Sequence, residues 1–155
     1  MTEAGADREL RAEAKVAATP ERVWELLTDF SRMAQWSPEM VRMVPMKPGG
    51  LRAGQWYLGI NRRKAVVWPT RSVVAAVEHG RRLVWDTRSS GAQWIWELEP
   101  DEGGTRVVHR RPVPKMTLLS RAFAPVFLGG SVEHADELEQ GMARTVAGLK
   151  AAAEA

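Results

Sequence analysis

The feature that most constrains the fold is a run of six strand-like segments separated only by short breaks. The segments cover approximately residues 41–46, 54–62, 66–78, 82–88, 92–99 and 105–112. The breaks are rich in glycine, serine or charged residues, as in Ser89-Ser90-Gly91 and Asp101-Glu102-Gly103-Gly104. A crossover between parallel strands needs about a dozen residues or more, so these segments are expected to pair as antiparallel neighbours.

One further strand and two short helices are predicted before this run. Polar and apolar residues alternate from Glu9 to Ala17, which is typical of a half-buried strand. Thr19 and Pro20 are residue types favoured at the N-cap and at the first helical position, so they predict the start of a helix. A second helical turn is expected from Phe30 to Ala34.

After the strands, apolar residues at spacings of three and four predict a long C-terminal helix. This stripe consists of Val132, Ala135, Leu138, Met142, Val146 and Leu149. The predicted fold is therefore α+β: a curved, seven-stranded antiparallel sheet, two short helices after the first strand, and the long helix packed across the sheet. An internal cavity is expected in the wedge between sheet and helix. Residues 1–8 are expected to be a disordered tail and 9–155 a single domain.

Composition excludes several classes of site. The chain has no cysteine, so it cannot form disulfides, zinc–thiolate sites or thiol nucleophiles. The three histidines are far apart in the sequence, and neither a metal nor a cofactor is predicted. The net charge of only +3 does not favour a nucleic-acid partner. A polar N-terminus and the lack of a long apolar run predict a cytoplasmic protein without stable membrane insertion.

Four stretches resemble the START-like, helix-grip superfamily, also called SRPBCC, to which the birch-pollen allergen and the polyketide cyclases/dehydratases belong. They are VAATPERVWELLTDFSRMAQWSPEM, GQWYLGINRRKAVVWPTRSVV, WIWELEPDEGGTRVV and the terminal GLKAAAEA. The chain is most similar to single-domain actinobacterial members of the polyketide cyclase/dehydrase type. The resemblance implies a helix-grip fold with a ligand cavity, whereas the ligands and the chemistry of such proteins diverge.

Strand alternation predicts which side chains face the cavity. The chain has seven tryptophans, and Trp94 and Trp96 are expected to face inward, opposite to Glu97 and Glu99. In the last strand, His109 and Arg111 would face inward. The resemblance implies that four further side chains face inward: Tyr57, Asn61, Trp68 and Thr70. The predicted ligand-binding residues are Trp36, Tyr57, Asn61, Trp68, Thr70, Trp85, Trp94, Trp96, His109, Arg111, Leu138 and Met142.

The segment 54–62 has two alternative orientations. Hydrophobicity alone favours an inward Trp56, Leu58 and Ile60, whereas the resemblance favours an inward Tyr57 and Asn61. The second choice places an apolar patch on the outer sheet face, where it is a candidate homodimer contact. That patch would consist of Trp56, Leu58, Ile60, Val73, Ala75 and Val77.

Three functions are compatible with these patterns. The first is a carrier or sensor that binds a hydrophobic small molecule, such as a lipid or a polyketide, in a tryptophan-lined cavity. The second is a polyketide aromatase/cyclase-dehydratase in which His109 acts as acid and base, so whether the protein is an enzyme is left open. The third is a protein-interaction module acting through the outer sheet face. The apolar stretch from Met116 to Leu128 is interpreted as core packing, with a cavity lid or a membrane-contacting surface as alternatives.

Overall fold

The computed structural model describes residues 9–37, 40–88, 91–112 and 132–155. The predictions for the tail 1–8 and for the stretch Met116 to Leu128 lie outside the described residues. Within them, a seven-stranded antiparallel sheet has the strand order β1-β7-β6-β5-β4-β3-β2. The strands are β1 (Leu10–Val16), β2 (Met40–Pro45), β3 (Trp56–Arg63), β4 (Val66–Glu78), β5 (Arg82–Thr87), β6 (Ala92–Asp101) and β7 (Gly104–Arg111).

Three helical elements accompany the sheet, as the sequence predicts. They are α1 (Pro20–Thr28), a 3₁₀ helix (Phe30–Gln35) and the long α2 (Val132–Glu154). The predicted α+β fold, with two short helices after the first strand and a long C-terminal helix, is confirmed.

Helix α1 begins where the capping residues predict. The hydroxyl of Thr19 accepts a hydrogen bond from the backbone N–H of Arg22 at 3.2 Å, and Pro20 occupies the first helical position. Such a cap satisfies one of the N–H groups that have no partner within the helix. The helix then buries Val23, Trp24, Leu26 and Leu27.

Helix α2 packs against one edge of the sheet. Among the described residues it packs mainly against β1 and makes smaller contacts with α1 and β7. Met142, Val146, Leu149 and Ala153 are buried in this contact. A Cβ atom added at Gly148 would overlap the carbonyl oxygen of Trp36, so glycine allows the helix to approach the 3₁₀ segment closely.

Polar side chains of α2 also bind the free edge of β1. Glu139 accepts a hydrogen bond from the backbone N–H of Arg11 at 3.0 Å, and Glu154 accepts one from Ala17 at 2.8 Å. Lys150 donates to the carbonyl oxygen of Lys15 at 2.9 Å. These contacts satisfy backbone groups that an edge strand otherwise leaves unpaired. A groove of about 450 Å³ with charged and small apolar walls lies between the helix and this edge.

A β-bulge in β4 corrects one predicted orientation. The pairing with β5 shifts between Val74, which is opposite Trp85, and Ala76, which is opposite Val84. After the shift Val77 lies opposite Leu83 and packs against the core. The prediction that Val77 belongs to the outer apolar patch is therefore wrong, because the extra residue of a bulge reverses the alternation beyond it.

Candidate functional site

The inner face of β3 and β4 carries the side chains that the resemblance implied. Strand pairing places Asn61 opposite Trp68 and Gly59 opposite Thr70. The side-chain amide of Asn61 donates to the hydroxyl of Thr70 at 3.1 Å. This part of the inner face is partly accessible to solvent and carries both apolar and hydrogen-bonding groups. Its half-buried side chains are those of Asn61, Trp68 and Thr70.

Tyr57 lies on the same face but deeper in the protein. It is buried, and its ring contacts the edge of Phe30 at a centroid distance of 4.9 Å. Desolvation raises the pKa of its phenol, so the hydroxyl stays protonated at neutral pH. Next to it, buried Ser72 and Thr87 hydrogen-bond each other at 3.0 Å. Phe30 and Ser72 were missed by sequence reasoning, although Ser72 follows Thr70 at the alternation of two that marks a shared face.

A second group of predicted residues forms a continuous aromatic stack, which consists of Trp36, Trp96, His109 and Trp94. Trp96 lies opposite His109 in the sheet, and the two rings stack at a centroid distance of 3.8 Å. The rings of Trp94 and His109 are also stacked, at a centroid distance of 5.6 Å. Trp36 meets Trp96 edge-on at 6.2 Å. This geometry connects the 3₁₀ segment to the inner faces of β6 and β7.

His109 is a neutral residue within this stack. Its Nδ1 lies 3.0 Å from the carbonyl oxygen of Ile95, and because a carbonyl can only accept, Nδ1 carries the proton. Burial lowers the pKa of His109 from 6.5 to about 4. At neutral pH the imidazole is therefore uncharged, and Nε2 is its acceptor nitrogen.

Arg111 is the last residue of β7 and lies next to the aromatic stack. Its guanidinium carbon lies 5.7 Å from the ring centroid of Trp94, which is a cation–π distance. Burial without a charged partner lowers the pKa of Arg111 from its ordinary value. The guanidinium stays charged at any physiological pH because its ordinary pKa is so high.

Three buried N–H donors in this region lack a hydrogen-bond partner among the described residues. They are Nε1 of Trp36, Nε1 of Trp96 and Nε of Arg111. A buried polar group without a partner costs about 1–3 kcal/mol, so such groups are rare in proteins. The sequence predicted that Trp96 and Arg111 face inward and that Trp36 binds ligand, but nothing in it indicates that their donors are unsatisfied.

The other predicted residues are Trp85, Leu138 and Met142. Trp85 lies opposite Trp94 and is half-buried. On α2, Met142 is buried and Leu138 packs against the core. Among the described side chains no group of three His, Asp or Glu residues could hold a metal ion. Within the same residues, no helix is both long and apolar enough to cross a membrane.

Comparison with known families decides the affiliation of the chain. The model of the family described as polyketide cyclase / dehydrase and lipid transport matches residues 7–154. The chain belongs to this family. No protein of curated function matches it significantly.

Solved structures agree with this polyketide cyclase/dehydrase family fold. The polyketide cyclase-like protein Cgl2372 from Corynebacterium glutamicum has a TM-score of 0.62 at 24% identity, over 92% of this chain and 88% of that one. The di-domain ARO/CYC BexL from the BE-7585A biosynthetic pathway has a TM-score of 0.70 at 20% identity, over 95% of this chain and 50% of that one. Ara h 8.0201 has a TM-score of 0.68 at 9% identity, over 94% and 97%. These similarities establish the helix-grip fold.

Proposed function

We propose that this protein binds a hydrophobic small molecule, such as a lipid or a polyketide, against the tryptophan-rich inner face of its sheet. Membership in a family of cyclases, dehydrases and lipid transport proteins supports binding of this general kind. The role is that of a carrier or sensor. The single-domain organisation and the cytoplasmic location expected from the sequence belong to this proposal.

The observation that carries the proposal is the exposure of Trp68, Trp85 and Trp94. All three lie on the inner face of the sheet and are nevertheless half-buried. They belong to β4, β5 and β6, which receive no comparable packing from α2 among the described residues. Trp85 and Trp94 lie opposite each other, whereas Trp68 lies six residues along β4 from Val74, the partner of Trp85. Half-buried indoles that α2 leaves uncovered among the described residues are costly to leave in water. A ligand that covers about 200 Å² of this apolar surface gains about 5 kcal/mol before the costs of association.

The chemistry of His109 favours binding over catalysis. A general acid or base works best when its pKa lies near the operating pH. The pKa of His109 is lowered to about 4, and its Nδ1 proton is engaged with the backbone of Ile95. The imidazole is thus neither a proton donor nor an efficient base at neutral pH, and its ring is buried and stacked with Trp94 and Trp96.

Native mass spectrometry of freshly purified protein tests for a co-purifying small molecule. A direct titration uses the neutral fluorescent probe N-phenyl-1-naphthylamine, whose emission rises in apolar sites. The substitution Thr70→Trp places a larger side chain on the inner face of β4. It is expected to lower the probe affinity at least about tenfold, because the added ring occupies the space of the ligand.

The matched control is Arg71→Trp, one residue along the same strand. Arg71 lies opposite Leu58 on the outer face and is exposed. This variant is expected to bind the probe like the unmodified protein. Equal affinities for the two variants, or no probe binding to the unmodified protein, would refute the proposed binding face.

A homodimer contact on the outer sheet face stays a separate prediction. Trp56 lies opposite Val73 on that face, and Leu58 and Ile60 follow at alternate positions. All four are half-buried rather than fully exposed. Light scattering at micromolar concentration, compared with the variant Trp56→Lys, measures the mass; a monomer in both cases would contradict the prediction.

A further inference from the structure

The inner and outer faces of the sheet differ in how their arginines are paired. On the outer face, Arg110 donates to Glu97 at 2.9 Å and to Glu9 at 2.9 Å. Arg106, on the same face, donates to Glu13. Arg111 follows Arg110 directly in β7 and faces inward, where its Nε is buried and has no hydrogen-bond partner among the described residues.

No carboxylate is available to Arg111 on its own face of the described strands. Alternation along β1, β6 and β7 turns the acids outward: Glu13 lies opposite Val108, Glu97 also lies opposite Val108 on the other flank, and Glu99 lies opposite Arg106. The inward positions of the same strands are apolar, aromatic or neutral polar, apart from Arg111 itself.

Along the stack, Arg111 is followed by the ring of Trp94 and then by the neutral imidazole of His109, which offers one acceptor nitrogen. Trp36 and Trp96 are exposed to only 6% and 2%, yet their indole N–H groups have no described partner. Trp94 presents its ring to the guanidinium. An indole N–H can only donate, and a guanidinium can only donate. The region therefore combines one positive charge and unsatisfied donors with a single neutral acceptor nitrogen, which favours an occupant that accepts hydrogen bonds and carries negative charge.

We propose that the ligand of this site is an amphiphilic carboxylate, with its acid group bound by Arg111 and its apolar body against the inner face of the sheet. The inference rests on the proposed function, because it assumes that a hydrophobic molecule occupies this face. It adds the chemical class of the ligand. Guanidinium–carboxylate pairs are charge-assisted and are stronger than neutral hydrogen bonds. A corresponding alcohol or ester cannot form such a pair.

The test measures displacement of N-phenyl-1-naphthylamine by matched probes at pH 7.5. Dodecanoate is compared with dodecan-1-ol as an aliphatic pair, and 2-naphthoate with 2-naphthol as an aromatic pair. For at least one pair the acid is expected to bind about tenfold or more tightly than the alcohol. The pair that shows the preference identifies whether the ligand body is a flexible chain or a flat ring system.

Two variants assign the preference to one side chain. Arg111→Met is expected to abolish the preference for the acid while leaving the affinity for the alcohol within about twofold. Arg110→Met removes the same charge from the neighbouring residue, which faces outward, and is expected to retain the preference. If Arg111→Met does not fold, the acid-to-alcohol ratio of the unmodified protein still decides.

The outcomes separate the inference from the function on which it rests. If the probe binds and acids and alcohols displace it equally, the carboxylate assignment is overturned while binding of hydrophobic molecules stands. If Arg110→Met loses the preference and Arg111→Met retains it, the assignment to Arg111 is overturned. If neither the probe nor any acid or alcohol binds, the proposed function itself fails, and the inference fails with it.

Discussion

Replacing His109 with phenylalanine should remove a specific pH dependence of stability. Phenylalanine keeps a flat ring that can stack with Trp94 and Trp96 but cannot titrate. In the folded protein the pKa of His109 is about 4 because of burial, whereas in the unfolded chain it returns to about 6.5. Between these values the unfolded state binds the proton and the folded state does not.

The sign and the size of the effect follow from proton linkage. Since the unfolded state binds more protons, the free energy of unfolding rises with pH through this window. The contribution is fully present above pH 6.5 and decreases as the pH falls toward 4. Lowering the pH from 7.5 to 5.5 should therefore reduce the stability by about 1.3 kcal/mol through this residue alone.

Urea denaturation at both pH values measures the difference. The lower value of 5.5 is chosen because the carboxylates Glu13 and Glu154, whose pKa values are lowered by hydrogen bonds, lose their contribution only at more acidic pH. His79→Gln serves as a control, because His79 is exposed and pairs with Glu21 at the surface.

One outcome of this measurement would refute the reasoning about His109. The unmodified protein and the His79→Gln control should lose about 1.3 kcal/mol more than His109→Phe over the same pH interval. If the loss is the same with and without His109, the imidazole is not held neutral in the interior, and the argument against its role in proton transfer collapses.

Two further predictions use matched pairs of substitutions, each measured by chemical denaturation. Gly148→Ala should destabilise the protein by about 2 kcal/mol or more, because the added methyl group meets the backbone of Trp36, whereas Gly141→Ala on the same helix has room and should stabilise by up to about 1 kcal/mol; equal effects would contradict the close approach. Val77→Asp should cost more than about 2 kcal/mol because Val77 packs against the core, whereas exposed Ala75→Asp should cost less than about 1 kcal/mol; the opposite order would show that the bulge is misplaced.

The order and type of the elements could be predicted from the sequence because the local signals agree with the fold. Thr19 and Pro20 form the cap that their residue types indicate, and the short breaks join antiparallel neighbours. The bulge near Ala75 could not be predicted in the same way. A run of small and β-branched residues reads equally well with or without one extra residue, so the reversal at Val77 carries no local signal.

The orientation of β3 could not be predicted from hydrophobicity alone. Hydrophobicity favours burying Trp56, Leu58 and Ile60, yet Tyr57 and Asn61 share the inner face with the core. The inner wall of a binding site includes polar groups, so apolar content alone does not identify it. The alternation placed Trp96 and Arg111 on that face correctly, but their unsatisfied donors depend on what lies around them in three dimensions.

Because α2 binds the backbone of β1, the two edge strands of the sheet differ in how readily they can pair with a strand of another molecule. Along β1, carboxylates and an ammonium group already occupy backbone positions to which an incoming strand would have to bond. The opposite edge strand, β2 (Met40–Pro45), packs against the 3₁₀ helix Phe30–Gln35, but among the described contacts no helix side chain hydrogen-bonds its backbone. Of the two edge strands, β2 is therefore the one expected to take part in strand exchange or fibril-like stacking. Charged substitutions in β2 are expected to suppress such association.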